Sequence, residues 1–159
     1  MPVCHSQIKY MIAIRELQST HSGVVRGVDV SNYLGVTRSS VSKMLKCLSC
    51  SGIVHENVVD GVRFTEYGRS MAEEYYRPYH YIYLFFNRML KIPIEEAKLQ
   101  AMEFVANFPK DTSSKFSVVI RNTLSRRENK ERSQQQDVPI FFNIRLEALQ
   151  QSATEKWQF

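Results

Sequence analysis

Apolar residues recur along this chain with helical spacing in its first half, break into two β-prone runs, and return to helical spacing afterwards. From Ser6 to Ser19 the apolar positions are Ile8, Met11, Ile12, Ile14 and Leu17, and the polar cluster STHSG that follows predicts the end of a first helix. A short extended piece at Val24–Arg26 precedes a helix from about Val28 to Leu34 and a turn centred on Gly35. A third helix follows from Arg38 to about Ser51. Thr37 is placed to cap it, Val41, Leu45 and Leu48 form its inward stripe, and Gly52 ends it. Ile53–Val59 and Val62–Thr65 read as β-strands joined at Asp60-Gly61, a hairpin turn pair. Thr65 caps the next helix, which Pro78 interrupts or kinks, and a further helix runs from about Tyr79 to Leu90. Ile94–Phe108 begins as a helix prefers, with Pro93, Glu95 and Glu96 at its start, and Pro109 closes it. Lys115–Leu124 is expected to be helical. Residues 125–137 carry no apolar side chain and read as a solvated helix extension or a linker. Ile140–Leu149 regains amphipathic spacing, so a last helix is expected there. There is no evident internal repeat.

This order of elements (helix, extended piece, helix, glycine turn, helix, hairpin) is that of a winged helix-turn-helix. The expected fold class is mostly α with a small β-hairpin. A winged helix-turn-helix over residues 1–76 is followed by an all-helical dimerisation domain over 77–124, then by a polar linker and C-terminal amphipathic helix over 125–159.

Composition narrows the function. The 159 residues are 43% hydrophobic, enough for a core. The longest apolar window, Tyr79–Phe86, is too short to cross a bilayer, and MPVCHSQIKY lacks the pattern of a secretory signal. A cytoplasmic protein with no membrane partner is expected. Three cysteines are too few, and odd in number, for a disulfide scaffold. The net charge of +5 suits a nucleic-acid partner. No nucleophile–base pair, phosphate loop or paired carboxylates stand out, so an enzyme is not expected.

The second helix of a helix-turn-helix buries one face and offers small polar and basic groups to a DNA groove. Thr37, Arg38, Ser39, Ser40, Ser42 and Lys43 form that outward set. Short hydroxyls permit close approach, and the helix N-terminus can meet a phosphate. Arg38 is the candidate for a bidentate base or phosphate contact, and Lys43 and Lys46 for phosphate contacts. His55 and Arg63 on the wing can reach the backbone or minor groove of double-stranded DNA. Such residues are more often merely solvated when they stand alone; their order and spacing together carry the reading. A second reading keeps the winged helix as a protein-interaction module.

The stretch YLGVTRSSVSKMLKCLSCSGIVHENVVDGVRFTEYGRSMAEEYY resembles the metal-dependent repressors of the diphtheria-toxin-repressor and manganese-transport-regulator kind. LGVTRSSVSKMLKCL, SGIV and DGVRFTEYGR look like that family's recognition helix, wing and following helix start. The resemblance covers residues 6–108 and points to the shorter, two-domain type. It implies a homodimeric repressor with C-terminal helices at the dimer interface and a metal site at the domain junction. Its ligand positions fall on Lys9, Ile12, Met102, Val105 and Ala106, and on either Tyr79 or His80 according to the direction of counting. These side chains cannot replace carboxylates and imidazoles, so the usual site is expected to be lost. A rearranged site for manganese, iron or zinc would draw on Cys4, His5, His80 and Glu103.

Two features stay open. CLSC (Cys47–Cys50) is an isolated CxxC on the recognition helix, read as half-buried packing or as a functional redox pair. YYRPYHYIYLFF (Tyr75–Phe86) is aromatic nearly all round. It reads as a dimer core with His80 as a polar spot in it, or as a pocket for an organic effector.

Overall fold

A computed structural model of the chain describes residues 3–20, 24–55 and 61–136. Among them are six helices: α1 (His5–Thr20), α2 (Gly27–Leu34), α3 (Arg38–Cys50), α4 (Glu66–Arg88), α5 (Ile94–Asn107) and α6 (Lys110–Gln136). The chain divides into two compact units, Met1–Arg121 and Asn122–Phe159, and the described part of the second is the helical run 122–136.

The first unit is built around α1. Met11, Ile12, Ala13 and Ile14 are wholly enclosed, and Ile8, Tyr10 and Leu17 nearly so. A helix buried on all sides needs neighbours on all sides, and α1 packs against α2, α3, α4 and α5. On α5 the buried face is Ala97, Ala101, Met102, Val105 and Ala106, mostly small side chains that let it lie close to α4 and α1. On α3 the stripe Val41, Leu45 and Leu48 is buried, as its spacing requires.

Three expectations are corrected. First, Pro78 neither ends nor divides a helix: α4 is one helix of 23 residues with Pro78 inside it. A proline there forfeits one backbone bond and costs about 3 kcal/mol. Burial of Ala72, Pro78, Tyr79 and Ile82 along the same face offsets that cost. Second, α6 starts at Lys110, directly after Pro109 and ahead of the expected Lys115; at its other end the charged segment takes one of its two expected forms, a helix extension, through Gln136. Third, no β-strand forms among the described residues. The wing is represented by an isolated antiparallel bridge, Val54 with Phe64, and a bond from His55 N to the Arg63 carbonyl (3.0 Å). A second bond of this pairing runs from Thr65 N to the Ile53 carbonyl (3.0 Å), while Val62 N, on the other side of the arm, donates to the Val25 carbonyl (2.7 Å). The Asp60-Gly61 turn and the helix expected at Ile140–Leu149 lie outside the described residues, except for Gly61 itself.

The wing is pinned to the start of α4. Thr65 caps that helix, accepting from Gly68 N (2.9 Å) while its hydroxyl donates to the Gly52 carbonyl (2.6 Å). Gly68 has no room for a side chain: a Cβ there would stand 1.8 Å from the Ile53 carbonyl oxygen.

Candidate nucleic-acid interface

The angle between α2 and α3 is set by a few local bonds. Gly35 adopts the left-handed conformation (φ 65°) that ends α2, and its N–H donates to the Ser31 carbonyl. Val36 N also donates to the Ser31 carbonyl (3.1 Å), and the Ser31 hydroxyl donates to the Val36 carbonyl (2.6 Å). Thr37 then caps α3, accepting from Ser40 N (3.2 Å).

With Val41, Leu45 and Leu48 held inward, the opposite face of α3 presents Thr37, Arg38, Ser39, Ser40, Ser42, Lys43 and Lys46 to solvent. Arg38, Ser42 and Lys46 lie one turn apart along a single stripe and border a cavity of about 560 Å³ floored by Val28, Val41 and Leu45. Ser40 and Lys43 border the opposite flank, a groove shared with Lys9, Met102 and Glu103. Among the described residues Arg38, Lys43, Lys46 and Arg63 have no acidic partner, so their charge is available to an external anion. His55 and Arg63 are both exposed and are brought together by their shared backbone bond. Cys47 and Cys50 are exposed thiols and not half-buried packing, because they fall beside the Val41–Leu45–Leu48 stripe.

Of the positions that the family resemblance gives to metal ligands, Lys9 and Met102 border the groove shared with Ser40 and Lys43, and the set as a whole lies between α1, α4 and α5. Ile12, Met102, Val105 and Ala106 are buried there. Tyr79 is the inward residue of the Tyr79/His80 pair: it is wholly enclosed, whereas His80 is half-buried. Three apolar side chains, a thioether and a neutral phenol do not fit a manganese, iron or zinc ion, which needs carboxylate or imidazole donors. Nor does the structure bring the alternative set together. Among the described residues no three His, Cys, Asp or Glu side chains converge as a metal site. Glu103 is engaged by Lys9, Cys4 and His5 are exposed at the start of α1, and His80 is set among tyrosines. Its ring lies 5.1 Å from that of Tyr83 and 6.1 Å from that of Tyr76 between centroids. Burial there lowers the His80 pKa below the usual histidine value, against the pull of Glu16.

What sequence reasoning missed sits beside these positions. Glu16, one turn beyond Ile12 on α1, is only 4% exposed. Lys98 of α5 lies 3.0 Å from its Oε1, and the Tyr76 hydroxyl of α4 donates to its Oε2 (2.7 Å). Burial alone would lower the Lys98 pKa, but its hydrogen bond and attraction to Glu16 outweigh that and raise it. Burial, together with the bond to Glu16, pushes Tyr76 up to about 12. The hydroxyls of Tyr33 (α2) and Tyr79 (α4) meet at 3.1 Å. The signal was present in the spacing of Ile8, Ile12 and Glu16, which puts a carboxylate on an apolar face that must find partners.

No protein-family model and no curated protein matches the chain. Solved structures do. The structure of the manganese regulator SloR is similar at TM-score 0.55 and 21% identity, over 73% of this chain and 54% of that one. The metal-dependent transcriptional regulator MtsR aligns at TM-score 0.59 and 16% identity, over 72% and 53%. T. acidophilum IdeR aligns at TM-score 0.54 and 21% identity, over 79% and 55%. The chain thus spans about half the length of each of these three structures, and what it shares with these regulators is the fold.

Proposed function

We propose that the chain is a DNA-binding transcriptional regulator, acting as a homodimeric repressor in the cytoplasm and reading a pseudo-palindromic operator with α3 in successive major grooves. The observation that carries this reading is the outward face of α3: hydroxyls and unpaired cations on a helix whose other face is locked into the core. Arg38 contacts a base edge or phosphate, Lys43 and Lys46 neutralise phosphates, and the wing residues His55 and Arg63 follow the backbone. The similar structures are named as regulators, which supports the same reading and speaks against an enzyme. Among the described residues no helix is long and apolar enough to cross a membrane. Exposed Leu90, Leu99, Phe108, Val118 and Val119 supply apolar surface for a second copy.

Fluorescence anisotropy with a pool of duplex DNA tests it. Binding is expected to weaken steeply with salt, and Lys46→Ala to shallow the log–log slope by roughly one per subunit. Arg38→Ala should weaken binding of a selected operator by roughly tenfold or more. Salt-insensitive binding, or wild-type affinity in both variants, would remove the proposal.

A further inference from the structure

Divalent metals cross-link helices by drawing ligands from each, and the resemblance places such a link between α1, α4 and α5. The side chains at those positions do not suit such an ion, yet the same three helices are joined one turn away. Both oxygens of the buried Glu16 carboxylate are occupied, one by Lys98 of α5 and the other by Tyr76 of α4. We propose that the Lys98 ammonium is a built-in cation that closes this junction in place of a metal, so that the chain holds its DNA-competent arrangement with no metal bound.

The charge balance favours this. A carboxylate as enclosed as Glu16 is strongly destabilising if left alone, so its partners are obligatory. The Lys98 ammonium also lies 5.9 Å from the centre of the Tyr83 ring, whose face attracts a cation. A second tethered cation repeats the pattern at the surface. Lys9, itself at one of the expected ligand positions, pairs with Glu103 across α1 and α5. That pair lines the groove shared with Ser40 and Lys43 of α3, and Tyr33–Tyr79 ties α2 to α4, so the junction borders both helices of the DNA-reading motif. A side-chain ammonium differs from a metal in one decisive way: no chelator removes it.

The DNA-competent part of this inference rests on the proposed function, so the test measures stability and DNA binding separately on the full chain. Metal content, melting temperature and DNA affinity are recorded with manganese, with zinc and with a chelator. Melting temperature is expected to stay within about a degree, DNA affinity within about twofold, and no stoichiometric metal should co-purify. Lys98→Met should lower the melting temperature by on the order of 10 °C. Lys98→Arg should keep most of it, and the double variant Glu16→Gln/Lys98→Met should recover part of the loss because neither charge is stranded. If Lys98→Met does not fold, the double variant and the chelator comparison still decide. Stabilisation by manganese or zinc, or a Lys98→Met variant that melts like the wild type, overturns the inference. DNA binding absent at every salt concentration, with this melting pattern intact, sinks the regulator reading and supports the Lys98 clamp.

Discussion

His80 and Tyr79 are neighbours in sequence with different tasks. Tyr79 points into the core and meets Tyr33, while His80 lies against Tyr76, Tyr81 and Tyr83 at the edge of the helix junction. Because the folded state lowers the His80 pKa, protonation favours the unfolded chain. The neutral imidazole's full contribution is present above the unfolded value near 6.5 and is lost as pH falls through the lower folded value. Denaturant midpoints between pH 7.5 and 5.5 should therefore drop less for His80→Phe than for the wild type. Identical pH slopes would mean that His80 does not sense its surroundings. Counting from flanking motifs could not decide between Tyr79 and His80. Burial decides it, and burial depends on where α1 and α5 lie. Glu16 is the converse case: its position on an apolar face was legible, but its partners are 60 and 82 residues away and had to be found in the fold.

At the scale of elements, legibility followed locality. The α2–turn–α3 motif is specified by a cap, a left-handed glycine and a short inward stripe, all within 25 residues, and the structure reproduces it nearly to the residue. The continuity of α4 was not legible. Proline acts locally as a breaker, while the burial that holds the helix together across Pro78 is a tertiary effect. Of the wing, the described residues show the antiparallel pairing of Val54 with Phe64, and the distant Val25 carbonyl takes a bond from Val62 on its other side. The wing and α4 meet at Gly68, which makes that contact a sharp test. Gly68→Ala would raise helix propensity, yet the methyl group would collide with the Ile53 backbone. A loss of about 2–4 kcal/mol in chemical denaturation is expected. A neutral or stabilising result would mean that the wing does not rest on α4 at this point.

For the molecule as a whole, apolar side chains emerge where α4 ends, at Leu90, along α5 and at the turn into α6, and a homodimer would cover them. Sedimentation across a range of concentrations should show a dimer, and Leu99→Glu with Val119→Glu should shift it to monomer while circular dichroism stays unchanged. A wild-type monomer at micromolar concentration would exclude the two-fold mode of operator reading. A monomer carries a single DNA-reading helix, with no second one at the fixed spacing that a palindrome requires.

The filled junction between α1, α4 and α5 has a consequence for signalling. A regulator whose hinge is empty until an ion arrives carries its sensor inside its own fold, and its promoters follow the concentration of that ion. Here Ile12, Met102, Val105 and Ala106 leave no such inlet. If the chain is the repressor proposed above and the Lys98 clamp stands in for a metal, promoter occupancy would be governed by copy number: the rates at which the protein is made and degraded would become the input, and a cell would silence or release its targets by dosage.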